Sequence, residues 1–133
     1  MLQGKKVYIC SPLSAETQEG RMHNMEMAKF YLVTIQRGYH CRSFASHVHL
    51  PMMLDDSISE EREAALRIGQ EMMKLCDALV ICGQRISSGM KGEIQEAFRM
   101  KMEVFWYDSS KKPLELIRMN SWKEISDEVQ IQS

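Results

Sequence analysis

No stretch of 18 consecutive apolar residues occurs in this 133-residue chain, so none of it reads as a membrane-spanning helix. An excess of one charge is missing too. Lys and Arg number 17 against 18 Asp and Glu, a formal net charge of −1. Without a broad basic field there is little to hold a nucleic acid polymer by counterion release. The four cysteines (Cys10, Cys41, Cys76 and Cys82) show no C-x-x-C spacing and sit among apolar neighbours, as small buried hydrophobes with reduced thiols would. The N-terminal MLQGKK lacks the apolar core of a signal peptide, and the expected compartment is the cytoplasm. Repeats and low-complexity linkers are absent. What is present is ordinary for one folded domain spanning 1–133, with 44% hydrophobic and 26% charged residues.

Patterning then supplies the elements. Val7–Cys10 is a strand-favouring run stopped by Ser11-Pro12, since proline cannot donate to a ladder. Thr17 to Gly20 reads as a turn. From Asn24, Met25, Ala28, Leu32 and Ile35 recur at helical spacing, and Gly38 is placed to end the helix. His40 to Ala45 reads as a weaker strand and Ser46 to Ser57 as a loop. Ser59-Glu60-Glu61-Arg62 has the hydroxyl and early acids of a helix start, followed by a stripe through Ala65, Leu66, Ile68, Gly69, Met72, Met73 and Cys76. Ala78–Cys82 has no polar alternation, the mark of a strand covered on both faces, and Gly83 ends it. Ser87 or Ser88 caps a third helix through Ile94, Ala97 and Phe98. Val104–Tyr107 is a fourth strand leaving through Asp108-Ser109-Ser110, and one or two short helical pieces follow from Pro113.

This β-α-β-α-β-α-β-α order predicts a Rossmann-like, flavodoxin-like α/β three-layer sandwich around a parallel sheet of four to five strands. Ligands of such sheets bind beyond the carboxyl ends of the strands, where the strand order reverses. That rule selects the segments Ser11–Gly20, Ser46–Asp56 and Gly83–Glu93.

The last segment is the most informative. A strand opens into a loop of glycines and hydroxyls and then into a helix, whose unpaired N–H groups suit a phosphate or carboxylate. Ser87 can donate its hydroxyl to such an anion, or simply cap the helix. Gly89 permits close backbone approach, and Glu93 lies where its carboxylate can face the cleft or the solvent. The pattern is neither a Walker loop nor G-x-G-x-x-G. Arg85 can reach a phosphate or stay solvated, Asn24 can cap the first helix or touch ligand, and Tyr107 can line the cleft or pack. His47 and His49 share a loop with Asp55 and Asp56, but without a third ligand at a defined offset no metal is expected. His47 is instead a candidate ligand contact. No cofactor is expected.

Together, Cys10-Ser11-Pro12, Asn24-x-x-x-Ala28, His47-x-x-x-Pro51-x-x-x-Asp55-Asp56, Arg62, Asp77 and Ile86-Ser87-x-Gly89-Met90-x-x-Glu93 resemble the nucleoside 2′-deoxyribosyltransferase superfamily. Within it the resemblance is to small bacterial and phage proteins, and more distantly to the 2′-deoxynucleoside 5′-phosphate N-hydrolases. It runs from Val7 to Tyr107. The resemblance implies chemistry at C1′ of a nucleoside or its 5′-monophosphate, with Glu93 as nucleophile and a glycosyl-enzyme resolved by water or a second base. It also implies that Ser87 and Gly89 hold a 5′-phosphate and that the pocket is completed in a homo-oligomer. Ser11, Pro12, Asn24, His47, Gly83 and Met90 are the further candidate substrate contacts. Two departures stand out. The superfamily's aspartate two helical turns before Asp77 falls at or near Gly69, which leaves Asp55 and Asp56 as stand-in acids. The glycine-rich turn of the N-hydrolases is replaced by Ser11-Pro12-Leu13-Ser14-Ala15. A binding module for a nucleotide-derived ligand, without catalysis, is the alternative.

Overall fold

The computed structural model describes residues 1–13, 15–108, 115–128 and 130–131. Its order is β1 (Lys6–Cys10), α1 (Gln18–Tyr39), β2 (Arg42–Phe44), α2 (Ser46–His49), a 3-10 turn (Leu50–Met52), α3 (Ser59–Lys74), β3 (Ala78–Ile81), β4 (Arg85–Ile86), α4 (Ser88–Arg99), β5 (Glu103–Asp108), β6 (Glu115–Met119), α5 (Trp122–Glu128) and β7 (Gln130–Ile131). Five strands form one sheet in the order β2-β1-β3-β5-β6, and β4 pairs with β7 apart from it. The first four are parallel and β6 runs antiparallel at the edge. The expected α/β sandwich is therefore present, with a mixed sheet in place of an all-parallel one.

The sheet forms because its central strands can bury both faces. All four residues of β3 are buried, as are Val7, Tyr8, Ile9 and Cys10 of β1. Period-two alternation sends Val7, Ile9 and Val80 toward Tyr31 and Ile35 of α1, and Tyr8, Cys10, Leu79 and Ile81 toward α3, α4 and α5. Asp77 starts the β1/β3 ladder on both sides. Its carboxylate accepts from the Lys6 amide at 2.9 Å, and its own amide donates to the Lys6 carbonyl at 2.8 Å. The chain leaves β1 for β2 on one side and returns to β3 on the other, so the strand order reverses between the exits of β1 and β3.

Several boundaries differ from the sequence expectation. Thr17 is not in a turn: its hydroxyl accepts from Gly20 N and caps α1, which begins at Gln18. Asn24 therefore lies inside α1 and cannot cap it, and the helix ends at His40 in the left-handed region rather than at Gly38. Ser59 is the first helical residue of α3 rather than its cap, and Leu66, expected in the apolar stripe, is exposed, because the buried face of the helix runs through Gly69 and Met73. The Ser46–Ser57 stretch holds α2 and a 3-10 turn. The C-terminal part contributes β6 and β7 as well as α5, where helical pieces alone were expected. Ser109, Ser110, Pro113 and Ser14 lie outside the described residues. No helix among the described residues is long and apolar enough to cross a membrane.

Gly83 shows why β3 ends where it does. Its φ of +98° is a conformation side chains rarely adopt, and a Cβ there would stand 3.2 Å from Pro12 Cδ. Gly83→Ala is expected to cost about 1–3 kcal/mol of stability, read as a lower urea midpoint at unchanged m-value.

Candidate active site

β1 and α4 bring the chemistry together. Tyr8 and Cys10 are two apart on β1, so both face α4, and Glu93 lies on the helix turn opposite them. The Tyr8 hydroxyl donates to Glu93 Oε2, and the Cys10 thiol approaches Oε1 at 3.6 Å. The thiol also lies 3.9 Å from the Met90 carbonyl. No cation pairs with Glu93 among the described residues. Burial pushes its pKa above the ordinary carboxyl value, while the Tyr8 and Cys10 donors pull it part of the way back. The same burial, with the Glu93 charge beside them, raises the Tyr8 phenol and the Cys10 thiol, which stay protonated and act as donors. This is a part-buried carboxylate held by neutral hydrogen bonds, with no salt bridge among the described residues.

Behind the pair, the Ser46 side chain lies beside the Tyr8 hydroxyl, and the Tyr8 ring packs on Phe44 with centroids 5.9 Å apart. Phe44 in turn stacks on the His49 imidazole at 5.1 Å. Gly69 of α3 faces the same hydroxyl, and a Cβ there would lie 3.6 Å from Tyr8 Oη in ordinary contact. The position without a carboxylate therefore abuts the Tyr8–Glu93 pair.

Ser87 is the N-cap of α4, its hydroxyl accepting from Met90 N at 3.3 Å. The lone pair used there leaves its proton available to an anion. Space in front of Gly89 is open, with nothing within 4 Å of a Cβ placed on it. Met90 is a core residue whose side chain packs with Ile86 and Ile94. His47 is half-buried beside the Ser11 backbone. Burial lowers its pKa, so its ring is neutral at neutral pH.

Other candidates are placed elsewhere. Asp56 pairs with Arg21 of α1 at 3.0 Å, and Asp55 is tied to Ser57, accepting from its amide at 2.9 Å and its hydroxyl at 2.7 Å. These bonds hold the Asp55 carboxyl below its usual range. Neither aspartate touches Tyr8, Cys10 or Glu93 in any of these contacts, although the Asp56 charge is felt at His47. Ser11 points to the α1 face of the sheet, and Pro12 packs against Gly83 there. Asn24 Nδ2 donates to the Leu13 carbonyl at 2.9 Å and braces the β1–α1 loop. Tyr107 is buried edge-on to Tyr31. Among the described residues no three His, Cys, Asp or Glu side chains converge as a metal site would require.

Sequence reading missed Tyr8 and the close approach of Cys10. The only signal was parity: Tyr8 and Cys10 share a strand face, and a buried tyrosine hydroxyl usually finds a partner. Nothing in one strand says which helix supplies that partner.

Comparison with known proteins agrees with this architecture. The structure resembles a 2-deoxyribosyltransferase from the psychrotolerant bacterium Bacillus psychrosaccharolyticus with a TM-score of 0.61. The match is at 13% identity and covers 96% of this chain and 85% of that one, a likeness of fold. No curated protein matches the sequence. Residues 5–107 match the family described as Domain of unknown function (DUF7768), and the chain belongs to that family.

Proposed function

We propose that the protein binds a nucleoside or its 5′-monophosphate at the exit of β1 and cleaves or transfers the N-glycosidic bond through Glu93. The observation that carries this reading is the carboxylate itself, part-buried, without a cation among the described residues and held by Tyr8 and Cys10. The deoxyribosyltransferase fold supports a nucleoside ligand. Desolvated and oriented, one Glu93 oxygen attacks C1′. The C1′–N bond breaks with its electron pair passing to the base nitrogen, which takes up a proton, and a glycosyl ester remains. Water, or the nitrogen of a second base, then attacks C1′ and returns the carboxylate. Ser87 and the amides at Gly89 receive a 5′-phosphate at the start of α4. Asp55 or Asp56 serves the leaving base from the loop that carries His47. Ser11, Pro12, Asn24, His47, Gly83 and Met90 remain our candidate contacts around it, the last through its backbone. The unit is a single domain over 1–133 that completes its pockets as a homo-oligomer in the cytoplasm.

The test is a panel of ribo- and deoxyribonucleosides and their 5′-monophosphates, with and without a second free base, followed by chromatography for base release. Release from one member supports the reading, and exchange in the free-base arm makes the protein a transferase. No release together with no thermal stabilisation by any member would overturn it.

One observation favours binding without catalysis: Gly69 brings no carboxylate to the Tyr8 hydroxyl. A Cβ fits there in ordinary contact. Gly69→Asp is expected to raise base release about tenfold by supplying an acid to the leaving group. Its charge beside Glu93 should also move the acid limb of the rate profile to higher pH. Unchanged release with an unchanged profile would mean that position 69 is not part of the site.

A further inference from the structure

A neutral base leaving C1′ needs a proton at its departing nitrogen, and the groups around Glu93 are poorly suited to give one. The Tyr8 hydroxyl already donates to Glu93 Oε2, and the Cys10 thiol approaches Oε1 at 3.6 Å. Burial and the adjacent Glu93 charge push both groups up, so each is a weak acid beside an anion. From α3 the same hydroxyl meets Gly69, where a Cβ would stand 3.6 Å away and no acid is carried. On the loop after β2, Asp55 accepts from the Ser57 amide and hydroxyl, and Asp56 pairs with Arg21 at 3.0 Å. Bonds of this kind favour the ionised carboxylate, and the Asp55 carboxyl is held below its usual range. His47 is neutral at neutral pH because burial lowers its pKa. Glu93 itself has no Lys, Arg or His paired with it among the described residues. The site therefore offers negative charge and few acidic protons.

Both features suit one kind of leaving group. Resting on the Glu93 reading, we infer that the site takes a nucleoside whose base is already a cation, its glycosidic nitrogen lying in a pyridinium or an N-alkylated purine ring. As a Glu93 oxygen attacks C1′, the C1′–N bond breaks and its electron pair cancels the positive charge of the ring. The base leaves neutral and takes up no proton. Water then attacks C1′ of the glycosyl ester, gives a proton to the solvent and returns the carboxylate. Before the reaction the cationic ring supplies the counter-ion that Glu93 lacks, which favours its ionised, nucleophilic form. Asp55 and Asp56 serve such a base as charges rather than as acids.

Matched pairs test this: nicotinamide riboside against its uncharged 1,4-dihydro form, and 7-methylguanosine against guanosine. Each is offered in ribo and deoxyribo form and as the 5′-monophosphate, and base release is followed by chromatography. Every rate is divided by the uncatalysed rate of the same compound, which removes the intrinsic lability of the charged bases. The charged member is expected to be accelerated at least about 100-fold more than its neutral partner, the share a general acid usually contributes. Whichever pair responds tells pyridinium from purine. Charged members should also raise the melting temperature of the parent more than that of Glu93→Gln, which keeps the shape of the site without its charge. Equal acceleration within both pairs, or more for the neutral members, would overturn the inference and leave the Glu93 reaction standing. Where no base is released, equal stabilisation by charged and neutral members would overturn it too. Neither release nor stabilisation by any compound would remove the underlying nucleoside reading as well.

Discussion

Glu93→Gln is expected to lose base release by at least about 10³-fold and, at neutral pH, to melt at a higher temperature than the parent protein. The first effect follows from chemistry. An amide oxygen cannot form and later release the glycosyl ester, whereas it can still accept from Tyr8, so the fold around it is kept. The second follows from linkage. Burial raises the folded pKa of Glu93 above the ordinary carboxyl value, so the native state binds a proton that the unfolded chain has already released. Stability associated with Glu93 is therefore full below the ordinary carboxyl range and is lost as pH rises through the elevated folded value. Glutamine does not titrate. The melting temperatures of variant and parent should be similar in acid and diverge in the variant's favour toward neutral pH. Thermal melts across that range, beside base-release assays at each pH, check both parts. A variant less stable than the parent at every pH would make Glu93 a structural partner of Tyr8 and nothing more.

How much of this was legible in the sequence depends on where each signal comes from. Ala78–Ile81 reads as a doubly covered strand because burial on both faces removes every polar residue, and all four are buried. Gly83 and Ser87 read correctly because a positive φ and an N-cap each demand a particular residue type at one position. The start of α1 was misread because its first turns stand clear of the sheet. Ala28 is its first buried residue, and Gln18 to His23 show no apolar stripe. Strand β6 is an edge strand whose partner, β5, precedes it, and Leu116-Ile117-Arg118 alternates too briefly to distinguish strand from helix. In the candidate site, Glu93 was singled out through its spacing from Ser87 together with the family resemblance, a relation along one helix. Tyr8 was not found, and Gly69 stood out only through the family resemblance, because their meeting at the Tyr8–Glu93 pair depends on β1, α3 and α4 packing together. The split of Cys10 and Ser11 to opposite faces likewise needs the sheet.

Tyr8→Phe tests the arrangement from the other side. The phenol ring is 1% exposed and packs on Phe44, so phenylalanine keeps the core while removing one hydroxyl. That hydroxyl donates to Glu93 and lowers the carboxyl pKa against the rise caused by burial. Without it the Glu93 pKa climbs further, a smaller fraction is ionised at a given pH, and the remaining carboxylate is less firmly oriented. The acid limb of the rate profile should move to higher pH, and turnover near neutrality should fall about 10- to 100-fold. KM should change little, because Tyr8 acts through Glu93 and not on substrate. The deficit should narrow as pH rises and Glu93 ionises, leaving at high pH only the loss due to orientation. An equal deficit at every pH, with the limb unmoved, would show that the hydroxyl does not govern the ionisation of Glu93. A large rise in KM would place Tyr8 against the substrate itself, and the positioning role derived from the β1–α4 geometry would fail.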